Sequence, residues 1–168
     1  MLEGLVRDAW TPAIVDAREE ARALGSATVE AEHVLLALCR SDGGVARDVL
    51  AEAGLGYAAM RAAVTAEFEA SLEAVGVSLR ALNLPPPAPA VRTPRWGAWA
   101  RPTFARARDL ARTHGDRRIE SAHILLALLG AQAGTVPRAL RRAGVEPADL
   151  ADRTEVALDG DRGPAGDG

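Results

Sequence analysis

Lysine is absent from the 168 residues, and all 20 basic side chains are arginine. The chain therefore offers no side-chain amine for acetylation or for conjugation of a protein tag, a bias that GC-rich coding produces without selection. Its one cysteine, Cys39, has no partner for an intrachain disulfide, which fits a reducing compartment. That residue follows the apolar run Val34 to Leu38 and reads as packing rather than as a reactive thiol. The N-terminus lacks the basic start and apolar stretch of a signal peptide, and no run of about 18 apolar residues exists to span a membrane. A soluble, cytoplasmic protein is the expectation. Aromatics are also scarce: Trp10, Tyr57, Phe68, Trp96, Trp99 and Phe104 are all there are. Alanine and leucine dominate instead, which favours tightly packed helices and makes strands improbable.

What is present suffices for a core. Apolar residues make up 48% of the chain, enough for one compact domain or two small subdomains sharing an interior. The net charge of -3 hides a division. Residues 1–90 hold 7 Arg against 13 acids, and residues 91–168 hold 13 Arg against 10. The halves attract weakly, and the acidic balance argues against a nucleic-acid face.

A shift of 90 aligns Pro12–Leu55 with Pro102–Val145 without a gap and matches 16 of 44 positions. This is an internal duplication. The matches include Gly25/Gly115, Glu30/Glu120, His33/His123, Leu-Leu-Ala-Leu at 35 and 125, Gly44/Gly134 and Ala-Gly at 53 and 143. Each copy reads as four helices punctuated by glycine. In the first, Thr11 is the expected N-cap and Pro12 the first helical residue of a helix ending at Leu24-Gly25. A second helix spans about Glu30–Arg40, a third Val45–Ala53 with Gly54 as its stop, and a fourth runs from Tyr57 through Phe68 toward Leu82. The second copy places them at 102–114, 120–130, 135–143 and 147–158. Between the copies, five prolines in Asn83–Arg101 exclude helix and predict an extended connector; its Pro86–Pro89 spacing fits the loose proline-ligand pattern of adaptor domains. The expected organisation is repeat one at 1–82, linker at 83–101, repeat two at 102–158 and a disordered tail at 159–168. The predicted fold class is all-α, two pseudo-symmetric four-helix repeats packed into one compact bundle.

The runs Val29-Glu-Ala-Glu-His-Val-Leu-Leu-Ala-Leu38 and Ile119-Glu-Ser-Ala-His-Ile-Leu-Leu-Ala-Leu128 resemble the signature of the Clp N-terminal repeat domain. Each follows an Ala-rich helix ending in Gly and precedes an Ala-Gly helix stop. The resemblance covers about residues 10–158. It implies a domain that, in Clp chaperones, stands ahead of ATPase modules and receives substrates, adaptors and, in some members, phosphoarginine-tagged proteins or cyclic-peptide antibiotics. No G-x-x-x-x-G-K-[ST] loop is present, and without lysine none can form. The expectation is a standalone, non-catalytic accessory of Clp-dependent proteolysis. Its partners would be Clp ATPase or protease components and client proteins or peptides. The alternative is a decoy that sequesters a toxic ligand such as a cyclic peptide.

No cofactor is expected. Around His33 and His123 there is no H-E-x-x-H-type pair of the kind metal-binding helices use, and no nucleophile-base motif occurs, so neither a metal nor a catalytic residue is assigned. The two histidines are expected to tie down the turn before the second helix of each copy. From the resemblance, Glu32 matches the glutamate of the family's Gly-Thr-Glu-His motif, which pairs with a ligand guanidinium. Trp10-Thr11 resembles the aromatic-hydroxyl pair opening the family's first helix, whose hydroxyl helps hold phosphate, though it lies closer to the following glycine. In the second copy the position of Glu32 is Ala122, which implies a single charge-reading site. A remote reading is single-stranded nucleic acid bound by Arg92–Arg118, where eight arginines interleave with Trp96, Trp99 and Phe104.

Overall fold

The computed structural model describes residues 10–82, 85, 88, 89 and 92–161, with Trp10, Thr11, Pro12 and Arg80 described by backbone alone. The first copy folds as α1 (Trp10–Ala23), β1 (Thr28–Val29), α2 (Ala31–Arg40), α3 (Val45–Glu52), α4 (Tyr57–Glu73) and the short α5 (Leu79–Leu82). The second supplies β2 (Arg95–Trp96), α6 (Ala100–Thr113), α7 (Ser121–Leu129), α8 (Thr135–Arg142) and α9 (Pro147–Asp161). The architecture is all-α, as the alanine- and leucine-rich composition predicts.

The central helices are α2 and α7, because the duplicated Leu-Leu-Ala-Leu runs are apolar on every face. A helix apolar all round must be enclosed, and Leu35, Leu36, Leu38, Leu125 and Leu128 are buried. Helix α1 flanks α2 and α6 flanks α7, while α4 lies on α8 and α3 on α9. Each copy thus completes its interior with helices of the other. Two buried carboxylates tie helices together. Glu20 on α1 receives Arg40 Nη1 at 2.6 Å and the Tyr57 hydroxyl at 2.9 Å, joining α1, α2 and α4. Glu67 on α4 receives Arg138 and Arg142 of α8 and the Ser71 hydroxyl. Burial would push the Glu67 carboxyl up, but those hydrogen bonds hold it below the usual range.

Four boundaries differ from expectation. The chain is already helical at Trp10, the first described residue, so Thr11 and Pro12 lie within α1 rather than at its cap and first position. Helix α4 stops at Glu73 instead of running to Leu82, because Gly76 turns left-handed at φ 82. Helix α6 begins at Ala100, and α9 continues to Asp161, into the segment expected as tail. Residues 162–168 of that tail, and 83, 84, 86, 87, 90 and 91 of the connector, lie outside the described residues.

A parallel strand pair is the feature composition argued against. Arg95 N–H donates to Ala27 C=O at 3.0 Å and Gly97 N–H to Val29 C=O at 2.9 Å, in register Thr28 with Arg95 and Val29 with Trp96. The end of the expected linker is therefore built into the first copy. Among the described residues no helix is long and apolar enough to cross a membrane.

Candidate functional site

Both helices α2 and α7 begin with the same device. The N–H of Glu30 donates to His33 Nδ1 at 2.9 Å, and the N–H of Glu120 donates to His123 Nδ1 at 3.0 Å. Each pair forms a reciprocal capping box, with histidine in the place glutamate usually takes. This is the turn-fixing role expected of His33 and His123. Glu30 does more, since its carboxylate also accepts the Trp99 N–H at 3.0 Å. The start of α2 is thereby clamped to the start of α6, across the repeat boundary.

That clamp borders a cavity of about 810 Å³ between α2, α6 and α8, whose walls include Glu32, Trp99, Thr103, Arg106, Thr135 and Arg138. A second cavity of about 700 Å³ is lined by Ala13, Asp16, Ser41, Gly44, Arg118 and Ser121. The two are related by the repeat: Thr103 matches Ala13, Arg106 matches Asp16 and Gly134 matches Gly44. Their chemistry has diverged. In the second cavity, Ser121 Oγ accepts the Ala46 N–H at 3.3 Å and so covers the start of α3. The residue matching Ser121 is Ala31, which has no hydroxyl. Among the described residues no side chain accepts from the Thr135 or Val136 N–H that opens α8, Pro137 offers no N–H, and these opening residues border the Glu32 cavity. Uncapped amides at a helix N-terminus attract anions.

Glu32 is half-buried. Burial raises its pKa above the ordinary glutamate value, a hydrogen bond with its own backbone lowers it in part, and the neighbouring Glu30 charge raises it further. A cation placed against it would relieve both the desolvation and the repulsion. Trp10 and Thr11, the pair that the resemblance adds to the site, stand at the start of the described α1. Their helix enters the other cavity through Ala13 and Asp16, while the Glu32 cavity takes its aromatic and hydroxyl from Trp99 and Thr103 of α6. The side chains of Trp10 and Thr11 lie outside the described residues. The strand pair and the Glu30–Trp99 hydrogen bond carry α6 of the other copy to the Glu32 cavity, a pairing across the repeats that sequence proximity does not reveal.

Other candidates resolve into packing. Cys39 is buried, donates to the Leu55 C=O at 3.5 Å, and is pushed up to about 12 by burial, so no thiolate forms near neutrality. Trp96 meets Phe104 edge-on with centroids 5.1 Å apart and lies 5.2 Å beneath the Arg18 guanidinium. Two of the three aromatics in the arginine-rich stretch are thus committed inside the fold, which removes the row of stacking platforms that single-stranded nucleic acid needs. Sequence spacing gave no sign that His114, Asp116 and His123 converge, with ligand atoms within 4.8 Å of one another. His123 Nε2 is 3.0 Å from Asp116 Oδ2, and His114 Nε2 is 3.1 Å from Glu155 Oε2. Because His123 Nδ1 already accepts a backbone N–H, the proton of the neutral ring sits on Nε2. That nitrogen, 3.0 Å from the Asp116 carboxylate, then carries a proton and offers no lone pair to a metal.

This arrangement of duplicated helices defines a known class of domain. The family model described as "Clp repeat (R) N-terminal domain" matches residues 8–88 and 98–166, and the chain belongs to that family. Among solved structures it is similar to the N-terminal domain of the caseinolytic protease-associated chaperone ClpD from Arabidopsis thaliana. The TM-score is 0.67 at 21% identity, over 95% of this chain and 97% of that one. It is also similar to the Hsp104 N-terminal domain from Candida albicans, with TM-score 0.57, 18% identity, 91% of this chain and 90% of that one. No curated protein matches it. In Clp chaperones the domain of this fold receives substrates and adaptors.

Proposed function

We propose that this domain is a non-catalytic receptor for peptide or protein segments, an accessory of Clp-dependent proteolysis, and that the Glu32 cavity is its recognition site. The ligand that fits is a segment carrying phosphoarginine. One observation carries the reading: a partly desolvated carboxylate shares a cavity with an uncapped helix N-terminus and two arginines. The carboxylate accepts the guanidinium edge bidentately, and the start of α8, with Arg106 or Arg138, receives the phosphate. Nothing in this chemistry breaks or forms a covalent bond, so the role is capture.

Titration calorimetry with free phosphoarginine tests the site. The expected result is binding that Glu32→Ala abolishes without lowering the melting temperature of the fold. Undiminished affinity in the variant contradicts the assignment. Capture from native cytosol with the wild-type domain as bait then separates two roles. Recovery of a Clp ATPase or protease subunit supports the accessory role, whereas ligand binding without any such partner makes the domain a decoy.

A further inference from the structure

We propose that Trp99 determines the specificity of this cavity: its indole face stacks on the plane of the guanidinium whose edge Glu32 holds, so that the cavity selects guanidinium over ammonium groups. The inference rests on the Glu32 reading above and adds to it the wall that reads the cation's shape.

Trp99 is 56% exposed, yet its backbone is fixed at both ends. Its N–H is held by Glu30 Oε2 and its C=O accepts the Thr103 hydroxyl, each at 3.0 Å. An exposed indole on an anchored backbone is a prepared surface rather than a loose side chain. Unlike Trp96, it has no cation or aromatic ring against it among the described residues. The ring also reaches the anion-attracting end of the cavity, since a Cβ added at Gly134 would lie 3.9 Å from Trp99 Cε3. One aromatic face therefore extends beside the start of α8, in the cavity that also holds Glu32.

The repeat supplies an internal comparison. The residue matching Trp99 in the first copy is Ala9, the residue matching Glu32 in the second is Ala122, and the residue matching Ser121 is Ala31. Trp99 and Glu32 thus line one cavity together, and the residues matching both are alanine. The chemistry explains the combination. A guanidinium is planar, delocalised and weakly hydrated, so its face stacks on indole while its edge pairs with carboxylate. An ammonium is a compact, strongly hydrated charge that gains less from such a wall.

The test compares phosphoarginine with phospholysine by calorimetry on the whole chain, using wild type, Trp99→Ala and Trp99→Phe, with melting curves to verify the fold. Wild type should prefer phosphoarginine. Trp99→Ala should weaken that ligand roughly tenfold while changing phospholysine little, and Trp99→Phe should keep most of the preference. Quenching of tryptophan fluorescence by phosphoarginine should vanish in Trp99→Phe although Trp10 and Trp96 remain. Equal affinity of wild type for the two ligands, or unchanged phosphoarginine binding in a folded Trp99→Ala, overturns the inference. If Glu32→Ala loses binding and Trp99→Ala does not, only the wall is wrong. If folded wild type binds neither ligand, the wall and the Glu32 reading fall together.

Discussion

The surroundings of Glu32 disfavour its charged form, burial first and the Glu30 charge in addition. A carboxyl whose folded pKa is raised keeps a proton that the unfolded chain has already lost. Between the ordinary glutamate value and the raised one the folded state binds more protons, so stability falls as pH rises through that window. At neutral pH the charge is a standing cost, and Glu32→Gln should raise the melting temperature while eliminating phosphoarginine binding. A matched loss of stability and binding would instead make Glu32 structural. In the wild type, affinity should decline on acidification through the same window.

His33 shows the opposite dependence. Burial depresses its pKa, with Glu30 and Glu20 opposing, and its Nδ1 must stay unprotonated to accept the Glu30 N–H. The unfolded chain therefore binds the extra proton first, from about pH 6.5 downward, and the capping contribution is lost as pH falls through the folded value. The urea midpoint should drop between pH 7.5 and 5, and His33→Gln should flatten that part of the profile. An identical slope in the variant would place the acid sensitivity elsewhere.

Among the elements, the join between α2 and α6 depends on one small residue. A Cβ at Gly97 would stand 1.8 Å from Glu30 Oε1, so Gly97→Ala must expel the carboxylate that holds the Trp99 N–H. Losing a charge-assisted hydrogen bond and leaving its donor unpaired costs about 1–3 kcal/mol. Chemical denaturation should show a loss in that range, and a neutral substitution would mean that the clamp contributes nothing.

This join also marks the limit of what the sequence disclosed. Helix positions were legible because Leu-Leu-Ala-Leu, Gly25, Gly54 and their partners at a shift of 90 repeat both the apolar run and the stops. Glu32 was legible through its place before His33. Trp99 was not recognised as its neighbour, because two-residue strands carry no periodicity and the contact spans 67 positions in sequence. Nothing in the local sequence marks Glu20 and Glu67 as buried. Their burial depends on Arg40 and Tyr57, and on Arg138 and Arg142, which only tertiary packing brings close.

For the molecule as a whole, the proposed Glu32 site and the divergence of the two cavities predict a valence of one. Calorimetry should give one phosphoarginine per chain. Ala122→Glu should leave it at one, because Ser121 still covers the start of α3 and the aromatic position is Ala9. Linked sites would add avidity of about 100-fold or more for a doubly modified client, so such clients should gain nothing here beyond the statistical factor of two. A stoichiometry of two in the unmodified protein would contradict the asymmetry.

Since Glu32 comes from one copy and Trp99, Thr135 and Arg138 from the other, a bound ligand acts as a staple across the duplication. Neither half expressed alone should retain affinity, and anything that occupies the cavity must raise the temperature at which the halves part. At a ligand concentration about 100 times Kd the added stability is roughly 2.7 kcal/mol. Heat resistance thus becomes a reporter of occupancy: warming this domain with fractionated cytosol, and following which fraction delays its melting, offers a route to a client whose identity need not be guessed beforehand.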